Sequence, residues 1–407
     1  MGQAPSTAST STSTPTPSLF PMASSSSSLA DCLLNVELEI VSAKVRCLNF
    51  CHLNILAGDY LGLTAALKGR LSSSDAYAII EVEGKKVAWT RPIFNTLEPV
   101  WNETFFFTNV NPDTLCRLYL LDKDMDADDP LGETQFTATN TDGTQATFEL
   151  SITHNGRNAG SIIVKVESVK SQPVNPGRHA LLQQYGPVRY SVHSSVTAGL
   201  MTLSVSHGDR LESLAYHVQL QNVSQFLPTD HEWNKDYPAI QRIFSPDYPG
   251  SPVLRKAIMG QHVIVYMHHP STLYGAMASP ADFFKLVHDG RRQNKQVLFT
   301  YVITKTGWYF SETGAAFFKD MLSKHMLHCG AAFSVLYGGE FYIETDLFGE
   351  PKLIIDNNSG TYAPPKEDLP QLKALFEHNF PGISVEALDR DNEELQKTRA
   401  EILESWK

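Results

Sequence analysis

The sequence predicts a multidomain chain: an antiparallel, eight-stranded β-sandwich over residues 33–170, then an α+β domain over 178–407. Three observations carry this. Residues 33–170 break into eight short runs rich in Val, Ile, Phe and Tyr with turn residues between them, the spacing of a sandwich. Residues 171–177, Ser-Gln-Pro-Val-Asn-Pro-Gly, hold two prolines and no apolar periodicity and read as a linker. Beyond them the apolar pattern mixes helix and strand periods.

The chain opens on residues 1–32, almost wholly Ser, Thr, Pro and Ala. Such a segment buries too little apolar surface to offset the entropy of ordering, so it is expected to be disordered. Met1-Gly2-Gln3-Ala4-Pro5-Ser6 matches the M-G-x-x-x-[ST] pattern for N-myristoylation on Gly2. One such chain holds a membrane only marginally, so a second membrane signal would be required. The eight sandwich strands fall at 34–45, 76–83, 86–91, 104–108, 115–121, 132–138, 146–152 and 161–167. Asn and Gly at 140–143 and 155–156 supply turns, since both tolerate positive φ. In the second half, 261–267, 296–303, 340–345 and 352–356 read as strands, and 281–288, 313–328, 369–378 and 391–406 as helices.

Directly after the 115–121 run, Asp122-Lys123-Asp124-Met125-Asp126-Ala127-Asp128-Asp129 places five carboxylates in eight residues. Acids this dense repel one another unless solvent or a cation separates them. Ca²⁺ takes six to eight oxygen ligands from carboxylates and carbonyls, so the loop reads either as a Ca²⁺ cradle or as a solvated acidic turn.

Ser74-Asp75-Ala76-Tyr77 before one strand, Asn95-Thr96-Leu97-Glu98-Pro99-Val100-Trp101-Asn102-Glu103 before another, and the acidic loop followed by Leu131-Gly132-Glu133 together resemble the C2 domain family. The family reads S-D-P-Y, N-x-x-x-P-x-W-N-E, then D-x-D, Asp and a hydrophobic-Gly-Glu. Two departures stand out. Ala76 replaces the usual Pro, and Gly69 stands where the family usually has its first ligating Asp, leaving Asp59 to serve if residues 60–74 loop out. The resemblance implies Ca²⁺ held by Asp59, Asp75, Asp122, Asp124 and one of Asp128 or Asp129. It also implies an ion completed by a lipid phosphate, with Leu61, Leu63 and Met125 as apolar insertion residues at the rim. Residues 178–407 resemble an uncharacterised region of C2-bearing eukaryotic proteins, which implies no mechanism.

A net charge of −11 over 407 residues argues against a nucleic-acid binder with a broad basic surface. Five cysteines, without paired C-x-x-C spacing, suit a reducing compartment. No run reaches the ~20 apolar residues of a membrane span, so the expected location is cytoplasmic with reversible membrane association.

Twelve of the fourteen histidines fall at or after residue 179. His325 and His328, three apart on a predicted helix, share a face and would present two imidazoles to one ion or serve acid–base chemistry, although one core-facing and one surface histidine is the favoured reading, since no further ligands stand at a supporting spacing. Asp356-Asn357-Asn358-Ser359-Gly360-Thr361 is a polar burst after an apolar strand. Ser359 would be a nucleophile only with a base and an oxyanion site, and the G-x-S-x-G elbow is missing; the bland reading is a turn bonded to its own backbone. Glu312 stands beside a helix start. The leading expectation is a non-enzymatic peripheral membrane protein whose C2 half binds anionic phospholipid with Ca²⁺ and recruits the C-terminal domain. The alternatives are a lipid-modifying enzyme drawing on His325, His328, Glu312, Asp356 or Ser359, and a Ca²⁺-independent scaffold for a protein partner.

Overall fold

The structure, a computed structural model, describes residues 33–46, 74–123, 128–139, 141–171, 183–194, 214–230, 245, 248–266, 268–269, 271–305, 307–312, 335–346 and 348–406. The first unit is built from β1 (Leu34–Val45), β2 (Ala76–Val82), β3 (Lys85–Trp89), β4 (Val100–Val110), β5 (Thr114–Asp122), β6 (Asp129–Ala138), β7 (Ala146–His154) and β8 (Arg157–Lys170). Along β1, Leu34, Val36, Leu38 and Ile40 are buried while their neighbours are half-exposed, the period-two signature of a strand with one face on a core. The strand order β3-β2-β5-β6-β7-β8-β1-β4 folds into a sandwich because its two halves meet through one pair, Glu133 with Thr153. Gly132 at that seam has φ +145°, and a Cβ there would stand 2.9 Å from the Thr153 carbonyl oxygen, so the glycine of Leu131-Gly132-Glu133 is a steric requirement of the crossing. Ile80, Phe105, Phe107, Leu118, Leu120, Ile162 and Val164 fill the space between.

A short strand, β9 (Gln184–Gly186), continues this sheet by pairing with β4, beyond the predicted linker. The chain then enters a second sheet made of β10 (Val188–Ser194), β11 (Leu214–Gln219), β12 (Leu273–Met277), β15 (Phe299–Thr304), β16 (Gly307–Glu312), β17 (Val335–Thr345), β18 (Pro351–Asp356) and β19 (Val385–Leu388). β13 (Arg291–Arg292) and β14 (Lys295–Gln296) form a separate ribbon. The order is β12-β10-β11-β16-β15-β17-β18-β19, antiparallel except for β18 with β19. Helices Pro280–Leu286 and Leu369–Asn379 place Phe283, Leu372 and Phe376 among Trp308, Phe310 and Phe341. Leu395 and Ile402 of helix Glu393–Ser405 join Leu298, Tyr342 and Ile354 in a separate cluster. β17 is therefore buried at nine consecutive positions, the pattern of a strand covered on both faces.

Of the run 261–267, expected as a strand, residues 261–266 lie instead in helix Ser251–Tyr266, and Met267 is outside the described residues. Its Val and Ile content favours a strand, but Pro252 stands at the helix start, where proline fits, and His262 and Tyr266 pack on Tyr309 of β16 at 5.3 and 5.0 Å between ring centroids. Packing overrides propensity here. The predicted helix at 313–328 lies outside the described residues, as do the N-terminal tail and most of the expected linker. No helix among the described residues is long and apolar enough to cross a membrane.

Candidate functional site

The register of three strands gathers carboxylates at one end of the sandwich. Ala76 of β2 pairs with Asp122 of β5, and Asp122 pairs with Asp129 of β6, so Asp75, Asp122 and Asp129 stand at adjoining strand ends. Asp75 donates its backbone N–H to Asp122 Oδ1 at 2.6 Å and accepts, through Oδ1, the Asn95 N–H at 2.8 Å. Half-burial raises the Asp122 carboxyl above its ordinary range against the hydrogen bonds from Asp75 and Ser74, and the charges of Asp75 and Asp129 push the same way. A bound cation would reverse that repulsion.

Asp128 faces a different partner set. Its Oδ2 accepts the Tyr77 phenol at 2.6 Å and the Lys123 ammonium at 3.0 Å, and Lys123 also lies over the Tyr77 ring, 5.6 Å from its centroid. Lys123 thus neutralises Asp128 within the chain. Among the described residues, no three Asp, Glu, His or Cys side chains converge tightly enough to hold a metal ion. The hard oxygens of Asp75, Asp122 and Asp129 suit Ca²⁺ in kind and form a partial rim. Asp59, Asp124, Leu61, Leu63, Met125 and Gly2 lie outside the described residues.

In the second unit, His325 and His328 likewise lie outside the described residues. Glu312, on β16, is ion-paired with Arg292 at 2.7 Å. Three strand-to-strand steps, from Glu312 to Phe299, to Phe341, to Ile355, separate it from the end of β18, about 14 Å at the usual strand spacing. Asp356 Oδ1 accepts the Glu340 N–H at 2.7 Å and the Asn358 N–H at 2.8 Å. Burial, with Glu340 adding like charge, lifts the Asp356 carboxyl to about 7. Glu340 is held in turn by Arg399 and by the Asn358 amide, 2.9 Å away. Buried Ser359 accepts the Tyr362 N–H through Oγ at 3.3 Å, and Asn357 donates to the Pro364 carbonyl at 3.2 Å. These polar groups tie the loop to itself and to the sheet.

The polar junction between the two units carried no signal in the sequence. Glu103, the acid of Trp-Asn-Glu, pairs with Arg189 of β10 at 2.8 Å, and Arg189 also donates to the Thr104 carbonyl at 3.1 Å and covers the Phe105 ring. The Gln221 amide donates to the Val87 carbonyl at 2.7 Å, and Trp89 stacks toward His217. Phe94 lies flat on His268, with ring centroids 4.0 Å apart and planes 9° apart. Partners 86 and 174 positions apart in the chain follow no local period.

Comparison with known proteins identifies the first unit. Protein C2-DOMAIN ABA-RELATED 11 of Arabidopsis thaliana is 44% identical over 61 residues, covering 15% of this chain. The match spans 36% of the length of that relative. Among solved structures, a C2 domain of plant Extended Synaptotagmin 1 is 16% identical, covering 35% of this chain and 98% of that one, with a TM-score of 0.27. The calcium-bound pair of C2 domains of Extended Synaptotagmin 2 is 19% identical, covering 40% of this chain and 58% of that one, with a TM-score of 0.25. Residues 51–152 fit the family model of the C2 domain, and with the sandwich described above this identifies the chain as one that carries a C2 domain.

Proposed function

We propose that this chain is a peripheral membrane protein whose C2 domain binds anionic phospholipid in a Ca²⁺-dependent manner and brings the C-terminal residues, read as an α+β domain over 178–407, to the bilayer. The observation that carries the reading is the strand register that lines up Asp75, Asp122 and Asp129 at one end of a C2 sandwich. Asp124 and Asp59 would supply further ligands. Ca²⁺ held there would cancel local negative charge and leave coordination positions for a lipid phosphate, tying binding to both cation and anionic lipid. Leu61, Leu63 and Met125 would add apolar insertion, and an acyl chain on Gly2 a second anchor.

The Lys123–Asp128 pair favours a second reading, a C2 domain that engages lipid or a protein partner without metal, because one of the expected ligands already has a cation. Co-sedimentation of the full chain with phosphatidylserine vesicles across free Ca²⁺ concentrations separates the two. The first reading expects binding that requires Ca²⁺ and is lost in the double variant Asp122→Asn, Asp124→Asn. Equal binding with and without Ca²⁺, unchanged in the double variant, overturns it in favour of the second.

A further inference from the structure

The loop joining β3 to β4 is bonded along the segment that carries Asp75. Ile93 donates its N–H to the Ala76 carbonyl at 3.0 Å, Asn95 to Asp75 Oδ1 at 2.8 Å, and Thr96 to the Ser74 carbonyl at 2.8 Å. Ile93 and Leu97 pack into the sandwich core, whereas the Phe94 ring between them lies on His268 of the second unit. His268 follows helix Ser251–Tyr266, and its Nδ1 is hydrogen-bonded to the Tyr274 hydroxyl at 2.6 Å. Tyr274 belongs to β12, opposite Ser191 of β10. Lys123, whose backbone N–H donates to the Asp75 carbonyl at 3.1 Å, and Asp128 both act electrostatically on His268.

A continuous path of contacts therefore runs from the second sheet through Tyr274, His268, Phe94 and Asn95 to Asp75. We propose that His268 is a positioning residue for the acidic end of the C2 domain, bracing the Phe94 loop so that Asp75 is held in place by the second unit. Its functional consequence rests on the cation reading. A braced Asp75 is ordered before the ion arrives, so the ordering cost is already met, and by linkage a bound ion stabilises the docked unit by the same factor.

The test is hydrogen exchange on the full chain without Ca²⁺, read at the amides of residues 93–97, together with the Ca²⁺ concentration giving half-maximal binding to phosphatidylserine vesicles. His268→Ala is expected to speed exchange in this loop by about tenfold and to raise the Ca²⁺ midpoint, while His268→Phe, which keeps a flat ring on Phe94, restores both. Tyr274→Phe, which removes only the hydroxyl anchor, gives a smaller change in the same direction. Exchange at 93–97 equal in wild type, His268→Ala and Tyr274→Phe overturns the brace. Faster exchange in a protein whose vesicle binding ignores Ca²⁺ retains the brace and removes the cation reading.

Discussion

Glu103 is a buried charge and Arg189 a half-buried one, and desolvation dominates both: it raises the Glu103 carboxyl above its usual range and lowers the Arg189 guanidinium, each against the attraction of the other. Such a pair adds little net stability, but losing Arg189 leaves Glu103 in a poorly solvated site with the more distant Arg91 guanidinium, 3.7 Å away. Arg189→Ala is expected to cost about 3–5 kcal/mol in urea unfolding, and the double variant Glu103→Gln, Arg189→Met should recover most of it. The same reasoning bears on the candidate residues of the second unit. Asp356 and Glu340 look like an acid pair by composition, yet hydrogen bonds from the Glu340 and Asn358 amides and the Arg399 ion pair bind them into the fold. Gly339 enforces that arrangement, since a Cβ there would lie 2.0 Å from the Asp356 carbonyl oxygen.

Strands of the sandwich were legible because each has one face on a core, so its alternation survives in the sequence. All eight appear where β-branched and aromatic runs place them, with ends shifted by a few residues. β17 was legible only in its second half. It is buried on both faces, so no alternation marks it, and Gly338 and Gly339 break the apolar run. β9 has three residues, too short for any period, yet it covers the open edge of β4. Its anchor is buried Tyr185, edge-on to Phe107 at 5.7 Å between centroids. Tyr185→Ala is expected to cost about 3–5 kcal/mol and to expose the β4 edge, measured as faster hydrogen exchange at residues 106–108.

At the scale of the molecule, the junction links stability to pH. His217 stacks on Tyr309 at 4.3 Å between centroids, and its buried Nε2 has no hydrogen-bond partner among the described residues. Burial, with His193 of β10, His262 of helix Ser251–Tyr266 and Lys123 adding positive charge, pushes its imidazole down to about 3. An exposed imidazole titrates near 6.5. The open form then binds more protons between these values, so His217 contributes full stability above about 6.5, and that contribution falls away as the pH drops toward about 3. Thermal melts should show a falling midpoint below about pH 6.5, with a shallower fall in His217→Phe.

The sandwich and the acid-rich loop at its end are legible in the sequence by itself, because strand alternation, turn chemistry and a dense run of carboxylates are local properties. In the second half the sequence marked β15, β17, β18 and helices Pro280–Leu286, Leu369–Asn379 and Glu393–Ser405, whereas β10, β11, β12, β16, β19 and helix Ser251–Tyr266 went unmarked. Tertiary structure alone decided which acids share a rim, that Lys123 occupies Asp128, that residues 261–266 are helical, and that Phe94 and Glu103 meet His268 and Arg189. These outcomes depend on strand register and on packing between segments far apart in sequence, where no periodicity records which side chain will face which.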